Sequence, residues 1–153
     1  MCYKLIKKKT MRNFLLMILL LSTTYSQAQN QEIQKVIETF FEGFHGKDTV
    51  KMHSVCADKM ILQSIAESPK GNKLSDETAK EFYNSITAIP ADFNFQEKIL
   101  SYAIQIDGTM AHAWTPYEFY VKGKLSHKGV NAFTLFKEYD VWKIIYIIDT
   151  RRK

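Results

Sequence analysis

Cysteine is almost absent from this chain, which holds only Cys2 and Cys56. Cys2 precedes an apolar run expected to be cleaved away, so no internal disulfide can staple the remainder. Cys56, between Val55 and Ala57, then reads as a buried small hydrophobe rather than as a partner for another chain. Glycine and proline are sparse too, at six and three. No glycine-rich phosphate loop, dinucleotide fingerprint or nucleophile elbow occurs. The four histidines never fall at His-x-His or His-x-x-x-His spacing, which argues against zinc. Internal repeats, low-complexity tracts and linkers are missing as well.

The longest apolar run is too short to span a bilayer. Lys4, Lys7, Lys8, Lys9 and Arg12 precede Phe14 to Leu21, and a polar stretch follows to Ser26-Gln27-Ala28. This is the pattern of a secretory signal over residues 1–28, with cleavage expected after Ala28. No cysteine follows the run, so no lipid anchor is expected. The product is expected in the periplasm or outside the cell, as one domain over residues 29–153.

Removing the leader also removes the charge excess. Its five basic residues are its only charges, and the whole chain has 21 Lys+Arg against 16 Asp+Glu. What remains is formally neutral, which gives no reason to expect a nucleic acid or an acidic membrane as partner.

Ile33, Val36, Ile37, Phe40, Phe41 and Phe44 recur at helical spacing, with Glu32, Lys35, Glu38 and Glu42 opposite. Asp48 is placed to cap a short helix over residues 49–55, and residues 59–66 read as a short strand. Ser75 is expected to cap the next helix, with Asp76 and Glu77 in its first turn and Leu74 and Ala79 at staple positions. That helix carries Phe82, Tyr83, Ile86 and Ile89 and ends at Pro90. Beyond Phe93 the period approaches two. A strand over residues 98–106, a turn at Asp107-Gly108 and three further strands make an antiparallel meander. Helices ahead of a meander describe an α+β domain with the helices on one sheet face. A strongly twisted sheet around the long helix would close into a hollow cone.

Strand parity sorts the polar residues. A two-residue turn at Lys122-Gly123 or Gly123-Lys124 sets Glu118 or Tyr120 opposite His127. Either register puts Glu118, Tyr120, His127, Gly129, Asn131, Phe133 and Leu135 on one face, and His112 and Trp114 join it if the strand has no bulge. Polar residues set among aromatics on one face suit a pocket lining. In the last strand, Lys143, Ile145, Ile147 and Asp149 alternate with Trp142, Ile144, Tyr146 and Ile148. Both sets are largely apolar, so one face is expected toward a cavity and the other in a subunit interface. Pairing Lys137 with Lys143 sets Asn131 opposite Asp149 and turns the aspartate inward.

One resemblance runs across residues 29–153. Ala111 to Phe119, Gly123, Ser126 to Asn131, Trp142 to Ile145 and Asp149 to Arg152, with the first helix and His53, resemble the nuclear transport factor 2-like superfamily. More narrowly they resemble its exported bacterial branch labelled lumazine-binding, close to the SnoaL-like proteins. The resemblance implies a cone of N-terminal helices packed on a curved antiparallel sheet. It also implies one of several functions, because this superfamily places cofactor-free dehydratases and isomerases, plain ligand binders and dimeric scaffolds on one cavity. The lumazine label is therefore a weak guide to ligand.

The leading expectation is an exported, homodimeric binder of a small, partly apolar molecule, with no cofactor and no metal. His53, Tyr83, Trp114, Tyr117 and Asn131 are the expected ligand contacts, with Trp114 and Tyr117 offering flat surfaces for a ring. The alternative is a cofactor-free lyase, isomerase or hydrolase in which His127 exchanges a proton with Asp149 or Glu118. A third is a dimeric interaction module. His127 and Glu118 can equally brace the hairpin, and Asp149 can pair with Arg151 at the strand end.

Overall fold

The computed structural model describes residues 27–153. The expected signal segment, except its last two residues, lies outside the described residues. Backbone contacts divide the chain at Glu32 and Ile33. Of the first unit, residues 27–32 are helical; the elements below belong to Ile33–Lys153.

Helix α1, residues 33–46 of this unit, buries Ile33, Ile37, Phe40 and Phe41. Each such side chain contributes about 1.5–3 kcal/mol on leaving water. Lys47, at φ 56°, ends the helix. Its ammonium then donates to the carbonyls of Pro90, Ala91 and Phe93 at 2.5, 3.1 and 3.0 Å. Asp48 caps α2 (Thr49–Val55) by accepting from the Lys51 amide, as its sequence position predicts.

Strand β1 (Cys56–Ala66) starts earlier than expected and pairs with β2 (Lys73–Thr78), in place of the first helical turn expected from Ser75. Helix α3 (Ala79–Thr87) starts at Thr78. Thr78 accepts from the Glu81 amide and Glu81 accepts from the Thr78 amide, a closed capping box. Ser75 lost the competition because Thr78-x-x-Glu81 satisfies two helix-end donors where Ser75 could satisfy one. Leu74 stays exposed, so no staple forms.

The strand expected over residues 98–106 is two strands, β3 (Phe95–Ile99) and β4 (Ala103–Asp107). Both pair with β5 (Met110–Val121), and the break falls opposite Pro116, which has no amide proton to offer a ladder. β6 (Lys124–Glu138) and β7 (Val141–Arg152) complete the meander through two-residue turns at Lys122-Gly123 and Tyr139-Asp140, all four residues at positive φ. The sheet order is β2-β1-β7-β6-β5-β3, with β4 also on β5. β1 runs parallel to β7, so the curved sheet is mixed, where a purely antiparallel one was expected. Beyond its pairing with β2, the first strand meets β7 only after the whole meander has been laid down.

Two bulges decide which side chains meet. In β6, Leu125 pairs with Tyr120 and His127 with Phe119, leaving Ser126 unopposed. In β7, Ile144 pairs with Leu135 and Tyr146 with Thr134, leaving Ile145 unopposed. The first bulge reverses the expected faces of β5. Ala111, Ala113, Thr115 and Tyr117 are buried toward the helices. His112, Trp114, Glu118 and Tyr120 therefore occupy the outer face, which corrects the parity expectation for all four. The second bulge turns Trp142, Ile144, Ile147 and Asp149 inward together. Asp149 does face Asn131.

Candidate functional site

A cavity of about 470 Å³ lies between the helices and the inner sheet face. Its helical wall is Phe40, Phe41 and Phe44 of α1 with Phe82 of α3. The planes of Phe40, Phe44 and Phe82 lie within 8–15° of one another at centroid separations of 6.2–6.4 Å, so the three rings run nearly parallel. Phe119, Phe133, Leu62 and Ile147 close the sheet side, and Ser64, Ser75, Ser85 and Glu77 supply polar groups.

The polar end is built by β3, β5, β6 and β7. Tyr117 donates to Asp149 Oδ2 at 3.2 Å and lies 3.0 Å from the Thr150 carbonyl. Its ring crosses β6 at Gly129, where a Cβ would stand 2.8 Å from the ring and 1.7 Å from Thr150 O. Only glycine lets the tyrosine lie there. Arg151 donates to Asp149 through Nε at 2.7 Å and Nη2 at 3.3 Å. Burial alone would lower the Arg151 pKa, but contact with Asp149 more than reverses this and raises it. Burial, aided by the Asp149 charge, pushes the Tyr117 hydroxyl far above its usual range.

Glu97 enters from β3 and accepts from the Asn131 amide at 2.6 Å. The strand keeps part of Glu97 exposed, but its carboxyl is sunk into the cavity. Burial raises its pKa to about 7, against the Asn131 hydrogen bond, with Asp149 adding to the rise and Arg151 opposing it. The Glu97 amide donates to His45 Nε2 at 2.9 Å, so a helix side chain fixes this strand edge. The accepting nitrogen carries no proton, and burial lowers the His45 pKa accordingly.

His127 stacks on Phe119 at 4.8 Å and 19°, stands edge-on to Tyr117, and meets Ser126 Oγ through Nδ1 at 3.2 Å. Burial first, then the Arg151 charge, lower its pKa. Among the described residues no hydrogen bond joins His127 to Asp149 directly.

The structure thus brings Tyr117, His127, Asn131 and Asp149 to one cavity. It leaves four other candidates elsewhere. Glu118 lies across the sheet from His127, accepting from Tyr120 Oη at 2.7 Å and pairing with Lys128 at 3.2 Å, so the His127–Glu118 acid–base pair is ruled out. Trp114 is 49% exposed on the outer face. His53 and Tyr83 meet each other at 3.9 Å with rings tilted by 32°, and they line no part of the cavity. Tyr83 belongs instead to the buried core that also holds Cys56, whose thiol burial pushes up to about 11. Sequence reasoning missed Glu97 and took the phenylalanines only for core. The signal for Glu97 was Phe95-x-Glu97-x-Ile99, a carboxyl on the apolar parity of a strand. No group of three or more His, Cys, Asp or Glu among the described residues is placed to hold a metal.

No protein-family model and no curated protein matches this chain. Solved structures do. A protein of unknown function from Shewanella baltica, described as nuclear transport factor 2-like, shares 17% identity over 84% of this chain and 97% of its own, at a TM-score of 0.61. A provisionally assigned dehydratase of that kind from Streptomyces avermitilis shares 14% over 84% and 99%, at 0.64. A protein of unknown function from Mycobacterium tuberculosis shares 10% over 86% and 76%, at 0.70. At such identities the likeness is one of fold. The chain has the nuclear transport factor 2-like fold.

Proposed function

We propose that this is an exported small-molecule-binding protein whose ligand, a small, partly apolar molecule, is held in the cone cavity. The observation that carries this reading is the cavity itself, about 470 Å³, with a phenylalanine wall and a polar cluster at Glu97, Tyr117, Asn131 and Asp149 beside the polar groups of Ser64, Ser75, Ser85 and Glu77. Export rests on the leader pattern alone. A homodimer through the outer sheet face is supported by exposed Met110, Trp114 and Phe136 on that face. Trp114→Glu should then shift sedimentation from dimer to monomer.

A thermal-shift screen of small molecules tests the binding reading, run on the wild type and on Ser85→Trp, which fills the exposed lip of the cavity. Stabilising compounds should lose their effect in the variant. Unchanged shifts in the filled protein, or no stabilising compound at all, would refute the proposal.

A second reading, a cofactor-free lyase, isomerase or hydrolase, is favoured by one observation: a buried carboxyl with a pKa of about 7 faces the cavity and can take or give a proton at neutral pH. In that reading Glu97 replaces Glu118 as the proton-exchanging group, with His127 and Asp149 nearby. Turnover that survives Glu97→Gln unchanged would exclude it.

A further inference from the structure

Charge in the cavity is not balanced. Asp149 is held by two N–H groups of Arg151 and by Tyr117. Glu97 has only the Asn131 amide, and among the described residues it forms no salt bridge. Arg151 does not serve in its place. It is committed to Asp149, whose charge acts on Glu97 more strongly than that of Arg151 does.

A carboxylate sunk into a cavity without a cation is costly, and the missing positive charge must come from a proton or from a ligand. The walls favour the second source. Phe40, Phe44 and Phe82 line the cavity with three nearly parallel rings, and aromatic rings attract organic cations through their quadrupoles. A carboxylate ligand would find the charge of the cavity guanidinium already matched by Asp149. Glu97 is also held in place rather than left to swing, through its backbone bond to His45 and its side-chain bond to Asn131.

We infer that the ligand of this cavity is an organic cation, a ring-bearing ammonium or protonated nitrogen base, with its charge against Glu97 and its apolar body on the phenylalanine wall. This rests on the cavity-binding reading above and names its ligand class.

Three probes with one ring system test it by calorimetry on the full chain at pH 7.5: 2-naphthylmethylammonium, 2-naphthylmethanol and 2-naphthoate. The ammonium should bind at least about tenfold more tightly than the alcohol, the value of a charge-assisted bond partly offset by desolvation. Naphthoate should bind most weakly. Glu97→Gln keeps an acceptor for Asn131 and removes the charge, so the ammonium-to-alcohol ratio should collapse to about twofold or less. An alcohol or naphthoate that matches the ammonium, or a ratio that survives Glu97→Gln, overturns the ligand class while leaving a binding cavity. Failure of all three probes to bind overturns the cavity reading as well.

Discussion

Replacing Glu97 by glutamine should stabilise this protein at alkaline pH and not at acid pH. Glutamine has the shape of the acid and keeps an oxygen for the Asn131 amide, so the substitution isolates the charge. In the unfolded chain the Glu97 carboxyl releases its proton near 4.5; in the fold it holds it to about 7, chiefly because burial disfavours the anion. The folded state therefore binds more protons than the unfolded state between those values. Stability from this group is complete below about pH 4.5 and is lost as pH rises through about 7. The full loss is on the order of 3 kcal/mol. Other groups titrate alike in both proteins, so the useful quantity is the difference between variant and wild type. Urea unfolding followed by the fluorescence of Trp114 and Trp142 at pH 4.5 and pH 8 measures it. The advantage of Glu97→Gln should grow by on the order of 3 kcal/mol between the two, or roughly 10 °C in melting temperature for a domain this size. Parallel pH profiles would refute the argument, because they would mean that the carboxylate is ionised and well solvated in the native cavity.

Gly129→Ala should cost about 3 kcal/mol in urea unfolding, because the new methyl would fall 1.7 Å from Thr150 O under the Tyr117 ring; an unchanged midpoint would mean that β6 and β7 separate freely. Thr78→Ala should cost about 1 kcal/mol and Ser75→Ala only a few tenths, which separates the real helix cap from the expected one. His127, followed through its ring resonances in an NMR titration, should take up its proton below pH 6.5, since burial and Arg151 both oppose the imidazolium; a midpoint above that value would place its ring in the pull of Asp149 instead.

What the sequence alone makes legible is local. The stripe from Ile33 to Phe44, the Asp48 cap and the turns at Lys122-Gly123 and Tyr139-Asp140 each depend on residues within one helical turn or one hairpin. The inner face of β6, with His127, Asn131, Phe133 and Leu135, follows from alternation within that strand. The face of β5 did not follow, because one unopposed residue at Ser126 reverses the parity of everything beyond it. Asp149 shows the same physics with the opposite outcome. The turn pairs Lys137 with Trp142 rather than with Lys143, and the bulge at Ile145 cancels that shift, so Asn131 still meets Asp149. Glu97 stayed hidden for another reason. Its significance is set by a histidine 52 residues earlier and an asparagine 34 residues later, and no periodicity carries partners at that range.

The bulge at Ser126 also bears on how such a chamber changes over time. Pleated strands present their side chains in strict alternation, so removing that one residue would exchange lining and exterior along the tip of the meander without altering any other amino acid. Glu118 and Tyr120 would then greet the guest that Tyr117 and Phe119 greet now. In this architecture a change of length by a single codon is as potent a means of acquiring a new guest as any substitution inside the chamber.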